Sequence, residues 1–135
     1  MNNSYHFVTA EEAVSKIQSG QRVFVHGSGC TPVFLLKHLA NRAHELSDVE
    51  IVSISLHGDV EISKPQYTNS FIINSCFVSE PVRHAVNNGN GDYVPVFLSE
   101  IPELFKNNDL PLDVAIIHTS IDRKSTRLNS SHVSE

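Results

Sequence analysis

The sequence predicts an α/β protein with an open, mostly parallel sheet and helices on both faces. Short apolar stretches typical of buried strands recur along the chain, and stretches with helical spacing separate them. Strands joined through helices need crossover connections, which are right-handed and place helices over both faces of a parallel sheet. Because the chain has 135 residues and is 40% hydrophobic, we expect one domain.

The first helix is predicted to begin after Thr9. Thr9 and Glu12 have the spacing of a capping box. Apolar residues then recur at helical spacing as far as Ile17, and Gly20 is suited to end the helix. The next stretch, Val23–Val25, is apolar and β-prone, which predicts a buried strand.

The turn after this strand is the most informative part of the sequence. Its two glycines allow positive φ and a close approach between the backbone and a ligand. Thr31 and Pro32 suit the N-cap and the first residue of the following helix. Backbone N–H groups and the positive end of a helix dipole would then face an anion, a carboxylate or a thioester oxygen. The predicted anion-binding turn consists of Gly27, Ser28, Gly29, Cys30, Thr31 and Pro32.

The remaining elements continue the alternation of helix and strand. Apolar residues from Leu35 to Ala43 repeat at helical spacing. Two further short helices are expected to begin at Ser79 and Ser99, where serine precedes glutamate and proline. Further strands are predicted at Val49–Leu56, Phe71–Phe77, Tyr93–Phe97 and Leu112–His118.

Polar residues gather where the Val49–Leu56 strand ends. Ligands of open parallel sheets bind at the carboxyl ends of the strands, so we predict that His57 and Gly58 contact substrate. A metal site made by His57, Asp59 and Glu61 is an alternative, but this alternate spacing is not a recognised ligand pattern. No metal is therefore expected. His118 ends the last predicted strand at the same edge and is a further site candidate.

Three other chemical interpretations of the glycine turn compete with anion binding, and the first two do not match the required pattern. A dinucleotide fingerprint would need a third glycine where Pro32 stands. A nucleophile elbow would centre on Ser28, but His26 and Cys30 occupy the positions of its glycines. Cys30 could serve as a thiolate nucleophile, since thiols at helix N-termini ionise more readily. The commoner role of such a cysteine is that of an inert, small apolar residue beneath the sheet.

Composition argues against several partners. The formal net charge is −5, and the sequence has no basic stripe, so nucleic acid is not an expected partner. It has no apolar run long enough to cross a bilayer, so no membrane association is expected. The two cysteines form no CxxC pair and the N-terminus has no secretion signal. A cytoplasmic location is therefore expected.

The last fourteen residues break the pattern. Asp122–Glu135 has no apolar period, and Asp122–His132 resembles a codon-by-codon translation of a sequencing-library adapter. We therefore expect a domain at 1–121 that is incomplete at its C-terminal end, followed by a non-native, disordered tail at 122–135. A genuine disordered tail is the alternative.

Four segments resemble a known family, namely Gly27–Pro32, Asp92–Pro95, Leu98–Phe105 and Leu112–Ile117. The run D-Y-x-P-x-x-L-S-E-x-P, which begins at Asp92, is the most specific of these features. Over Tyr5 to Ser120 the chain resembles the N-terminal domain of the acetyl-CoA hydrolase/transferase family, most closely its 4-hydroxybutyrate CoA-transferase branch. The members of this family are considerably longer.

The resemblance implies an enzyme that exchanges CoA between a short-chain acyl-CoA and a carboxylic acid such as acetate or 4-hydroxybutyrate. It implies a coenzyme A thioester as substrate and no permanently bound cofactor. The turn at Gly27–Pro32, with His57 and Gly58, would then bind the substrate and CoA. Acetyl-CoA hydrolysis is one alternative, and a non-catalytic small-molecule or anion-binding module is the other.

The resemblance also implies that the catalytic residue lies elsewhere. In the family a glutamate of the second domain attacks the thioester, and no glutamate of this chain stands in a matching motif. No catalytic residue is therefore expected within these residues. The expected partners are the acyl-CoA and carboxylate substrates, a missing C-terminal catalytic domain and, for the full-length enzyme, further copies of itself.

Overall fold

A computed structural model describes residues 6–119 and the backbone of 131–134. Five parallel strands form an open sheet in the order β4-β3-β2-β1-β5. The strands are β1 (Arg22–Val25), β2 (Val49–Ser53), β3 (Phe71–Ser75), β4 (Gly91–Tyr93) and β5 (Val114–His118). The helices are α1 (Ala10–Val14), α2 (Val33–Ala40), α3 (Glu80–Asn87) and α4 (Ile101–Lys106).

The order of the strands creates a reversal point beside β1. Strands β2, β3 and β4 extend the sheet on one side of β1, whereas β5 pairs with β1 on the other side. All five strands are parallel, so their carboxyl ends lie at one edge. A crevice at such a reversal is where open α/β sheets bind ligands. The turn that follows β1 therefore lies at the expected binding position.

Helices cover both faces of the sheet, which confirms the predicted α/β class. Val23 and Val25 lie on one face of β1, and both are fully buried in a cluster that includes Leu36 and Leu39 of α2. Phe24 points to the opposite face, since side chains alternate along a strand. Its ring lies 5.7 Å from that of Phe105 on α4, edge to face.

Helix α1 begins where the sequence predicts. The Thr9 hydroxyl accepts a hydrogen bond from the Glu12 N–H at 3.2 Å, which caps the helix. Regular helix ends at Val14, earlier than the predicted stop at Gly20. Ile17 lies beyond this point and is still fully buried. Burial of such a side chain stabilises the fold by roughly 1.5–3 kcal/mol.

Strand β4 differs from the prediction of Tyr93–Phe97, because it begins at Gly91 and ends at Tyr93. Gly91 passes so close to β3 that a Cβ at this position would lie 1.8 Å from the Ile73 carbonyl oxygen. Only glycine permits that approach, so strand pairing starts in the predicted loop. Pairing ends soon afterwards because Pro95 has no N–H to donate.

Four residues of the stretch predicted to be disordered form a further strand. This strand, β6 (Ser131–Ser134), pairs antiparallel with β5. The outer edge of β5 presents backbone N–H and C=O groups with which an extended segment can pair. The rest of 122–135 lies outside the described residues. The domain boundary and the non-native origin of that stretch stay predictions. Among the residues that are described, no helix is long and apolar enough to cross a membrane.

Candidate functional site

The glycine turn begins directly at the carboxyl end of β1. Ser28–Cys30 form one turn of 3₁₀ helix, and α2 starts at Val33. Gly27 lies against the end of β2, where a Cβ would come within 2.5 Å of the Ser55 carbonyl oxygen. The backbone therefore approaches β2 more closely than any side chain would allow.

Ser28 adopts the unusual backbone conformation of the turn. Its φ is +53°, whereas no positive φ occurs at Gly27 or Gly29. The sequence indicated that the two glycines allow this conformation, but it is Ser28 that adopts it. The Ser28 N–H donates to the Ser55 carbonyl at 2.7 Å, which helps hold the left-handed conformation. Non-glycine residues in this region cost free energy and are concentrated at functional sites.

Thr31 closes the turn. The sequence predicted that Thr31 would cap the following helix, and this prediction is wrong. Its buried hydroxyl donates to the Ser28 carbonyl at 2.7 Å and accepts from the His57 N–H at 3.0 Å. With its hydroxyl so engaged, the Thr31 side chain does not bond to the first N–H groups of α2, although its carbonyl accepts the Val33 N–H at 2.9 Å. Pro32 occupies the N-cap position, so the helix begins one residue later than predicted, and Pro32 gives no side-chain cap.

The turn exposes fewer backbone donors than the sequence predicted. Four N–H groups already donate to carbonyl oxygens of the turn or of Ser55, which follows β2. They belong to Ser28, Cys30, Thr31 and Val33. Among the described residues, the N–H groups of Gly27 and Gly29 have no acceptor. Gly29 is exposed, and nothing lies within 4 Å of where its Cβ would stand. Its N–H is therefore available to an incoming anion.

The two cysteines have different surroundings. Cys30 is exposed at the turn, so the interpretation of it as an inert apolar residue beneath the sheet is wrong. The chain there curls outward in the 3₁₀ turn before α2 begins. Cys76 is buried after β3, and burial raises the pKa of its thiol because the thiolate would lose its hydration.

His57 and Gly58 lie next to the turn, where the sequence predicted them to act. His57 is exposed, and its Nε2 lies 3.1 Å from the Ser55 hydroxyl oxygen. Gly58 has a φ of +83°, and a Cβ there would lie 3.3 Å from a methyl group of Val33. Ser55 was missed because it occupies an alternating position of the apolar run predicted as strand. No local signal distinguishes it from a strand residue.

Two more histidines meet on the other side of the turn. The His118 N–H donates to Nδ1 of His26 at 3.3 Å, which joins the ends of β5 and β1. The glycine turn is thus bordered on one side by Ser55, which follows β2, and on the other side by the end of β5. His118, a further candidate from the sequence, is brought to the same edge.

The acidic residues after Gly58 are paired with lysines. Asp59 lies 3.8 Å from the Lys37 ammonium and 3.5 Å from that of Lys64. Glu61 binds Lys64 and accepts from the Tyr67 hydroxyl at 3.1 Å. The hydrogen bond from Lys64 lowers the pKa of Glu61, against a smaller effect of desolvation. Within residues 6–119 no three acidic, histidine or cysteine side chains are grouped to hold a metal ion.

Large apolar side chains are exposed near this edge. Phe77 follows β3, and Phe97 and Leu98 follow β4, with exposed fractions of 66%, 77% and 72%. Phe34, in the first turn of α2, is 66% exposed. Single exposed apolar residues are ordinary, but several near a candidate site indicate a surface that contacts a ligand or another protein.

Comparison with known proteins identifies relatives. Residues 2–132 match the family described as the acetyl-CoA hydrolase/transferase N-terminal domain. This range includes most of the stretch that the sequence assigns to a foreign tail.

The chain is 43% identical over 114 residues to the 4-hydroxybutyrate coenzyme A transferase of Clostridium kluyveri, which is 84% of the chain and 26% of that relative. It is 32% identical over 112 residues to the succinyl-CoA:acetate/propanoyl-CoA:succinate CoA transferase of Fasciola hepatica, covering 82% and 23%. The crystal structure of RipA from Yersinia pestis superposes with a TM-score of 0.73 at 25% identity, over 87% of the chain and 30% of RipA. The chain spans about a quarter of the length of the curated relatives it matches.

Proposed function

We propose a CoA-transferase function from the premise that the chain belongs to the acetyl-CoA hydrolase/transferase family, as its N-terminal domain. The proposed reaction exchanges CoA between a short-chain acyl-CoA and a carboxylic acid such as acetate or 4-hydroxybutyrate. The observation that carries the proposal is the 43% identity to a 4-hydroxybutyrate coenzyme A transferase over 84% of the chain. The CoA thioester is a substrate in this reaction and no bound cofactor is required.

The proposed role of this chain is to bind substrate and stabilise charge. When a carboxylate attacks a thioester, negative charge develops on the carbonyl oxygen, and a fixed N–H donor lowers the energy of that state. The Gly29 N–H, which lies in the 3₁₀ turn before α2 and has no acceptor among the described residues, is suited to this role. The hydrogen bonds among Ser28, Thr31 and Ser55 fix the turn in advance.

The nucleophile is proposed to lie outside this chain. In the transfer we propose, a glutamate carboxylate displaces CoA thiolate from the acyl-CoA and forms an acyl-glutamyl anhydride. The thiolate then attacks the glutamyl carbonyl, which releases the acid and leaves a glutamyl-CoA thioester. Within the described residues Glu61 is bound to Lys64 and Glu100 accepts the Phe97 N–H. Neither is free at the glycine turn.

The first experiment compares the chain alone with the chain joined to the rest of a related enzyme. The 135-residue chain alone should show no CoA transfer, because it lacks the nucleophile. The chain's residues 1–120, joined to the complementary part of the Clostridium kluyveri relative, should transfer CoA from acetyl-CoA to 4-hydroxybutyrate and accumulate an enzyme-CoA thioester visible by mass spectrometry. Turnover without that adduct would contradict the mechanism. Loss of acetyl-CoA in the absence of an acceptor acid would indicate hydrolysis instead.

The second experiment tests the glycine turn in the same fusion. Gly29→Val places a side chain in the open space beside the N–H, so it should lower kcat by about 10²-fold, the scale of losing one oxyanion donor. Gly29→Ala is the matched control and should retain most activity because its methyl group is smaller. If the valine variant turns over like the unchanged fusion, Gly29 does not contact the reacting oxygen.

A further inference from the structure

We propose that Ser55 is a positioning residue that orients His57 as a second hydrogen-bond donor beside the glycine turn. The proposal rests on the proposed function, since it assigns the donor to the carboxylate group of the substrate acid. Nothing in the sequence pattern or in the relatives' names points to Ser55. It follows from three hydrogen bonds that meet at the end of β2.

Ser55 connects the glycine turn to His57. The Ser55 carbonyl accepts the Ser28 N–H at 2.7 Å, and its hydroxyl lies 3.1 Å from Nε2 of His57. The His57 N–H in turn donates to the Thr31 hydroxyl at 3.0 Å. Both the backbone and the ring of His57 are therefore fixed relative to the turn that carries the Gly29 N–H.

The surroundings of Ser55 decide which atom carries the proton. Ser55 is 9% exposed, and its hydroxyl has no acceptor other than His57 among the described residues. If the hydroxyl accepted from Nε2, its own proton would be left without a partner in a nearly buried position, which is costly. The hydroxyl therefore donates to Nε2, and the proton of the neutral imidazole lies on Nδ1.

This arrangement gives the site a donor suited to a carboxylate. Nδ1 of His57 has no protein partner among the described residues, and the residue is exposed. A neutral Nδ1–H supplies a donor for one oxygen of a carboxylate, next to the turn whose Gly29 N–H is assigned to the reacting carbonyl oxygen. Lys37 and Lys64 are both engaged by Asp59, so orientation of the acid would depend on this neutral donor.

The test reads the position of the proton directly, in the full 135-residue chain. Nitrogen-15 NMR of the histidine rings at about pH 9, where imidazole side chains are neutral, distinguishes a protonated ring nitrogen from an unprotonated one. His57→Gln assigns the signals. We expect the proton on Nδ1 in the unchanged chain. We expect a shift toward the Nε2–H form in Ser55→Ala, and a return to Nδ1 in Ser55→Thr, which restores a hydroxyl. A proton on Nε2 in the unchanged chain would overturn the proposal without any variant.

A second measurement tests the donor role with acetate as the probe. Added acetate should shift the His57 ring nitrogens and the Gly29 amide in the unchanged chain, and the ring shift should weaken in Ser55→Ala. Ser99→Ala, at an exposed serine with no side-chain hydrogen bond in the described structure, is the matched control. If acetate shifts neither group, the donor role is wrong. Failure of the fusion to transfer CoA would instead contradict the proposed function, and would leave the proton position measured independently.

Discussion

Gly27 and Gly29 stand two residues apart, yet the space beside their α-carbons differs completely. A Cβ at Gly27 would overlap the Ser55 carbonyl oxygen at 2.5 Å, whereas a Cβ at Gly29 would meet nothing within 4 Å. The first glycine therefore maintains the fold, and the second is free to serve a ligand. This distinction assigns different roles to two residues that look alike in the sequence.

A pair of alanine substitutions tests that assignment. Gly27→Ala should lower the free energy of unfolding by about 1–3 kcal/mol, because the turn and the Ser55 backbone must move apart to relieve the overlap. Gly29→Ala should leave it within about 0.5 kcal/mol of the unchanged value. Urea unfolding monitored by circular dichroism measures both. Equal stability of the two variants would show that the turn is loose enough to accommodate either side chain.

The position of the turn could be predicted from its residues, but its pattern of hydrogen bonds could not. Glycines after a strand, followed by threonine and proline, indicate a ligand-facing turn. The hydroxyl of Thr31 has two uses that the sequence cannot separate, namely capping the next helix and closing the turn. The choice is made by the His57 N–H, which comes from a residue 26 positions away. Contacts at that separation leave no local pattern.

At the scale of elements, an ion pair and hydrogen bonds at Glu61 stabilise the segment between β2 and β3. Glu61 bonds with Lys64 and Tyr67, and these bonds lower its pKa below the ordinary value of 4.5. A carboxyl whose pKa is depressed in the folded state stabilises the protein above its unfolded-state pKa. That stabilisation is lost as the pH falls through the folded-state value.

The pH dependence of a variant tests the contribution of this segment. Glu61→Gln should unfold at a lower urea concentration than the unchanged chain at pH 7, by a small margin because the pair is partly exposed. The difference should shrink as the pH falls below about 4.5, and should be lost only below the lowered pKa of Glu61, where its carboxyl is neutral in the folded state as well. Asp109→Asn, at an exposed aspartate with no ion pair in the described structure, should show no such change. A difference that does not shrink as the pH falls would indicate a packing effect instead.

Element types were more predictable than element ends. Apolar periodicity correctly distinguished the helices from the strands, but β2 stops at Ser53 and β4 starts at Gly91. These limits depend on where a neighbouring strand offers partners and where a proline removes a donor. Both conditions belong to the assembled sheet.

At the scale of the whole molecule, the alternation of helix and strand was enough to predict a parallel sheet with covered faces. It did not predict that β5 pairs with β1 on the side away from β2. A helical crossover can return to either edge of a growing sheet, so the local sequence leaves that choice open. The reversal point, and with it the expected ligand crevice, emerges only from the complete topology.

The exposed apolar side chains make the isolated chain prone to association. Phe97 and Leu98 are more than 70% exposed, and together with Phe77 they leave apolar surface in water. We expect sedimentation velocity to show concentration-dependent self-association that Phe97→Ser combined with Leu98→Ser reduces. Leu112→Ser, at a less exposed residue before β5, is the control and should leave it unchanged. A chain that stays monomeric at high concentration would show that this surface is inert.

The contrast between the two cysteines makes the turn chemically addressable. Cys30 is open to solvent at the glycine turn, whereas Cys76 is buried and its thiol pKa is raised. A maleimide dye added near neutral pH would therefore attach to one known position without any engineered cysteine. Its fluorescence would then report the arrival of any molecule at the turn, including molecules that undergo no reaction there.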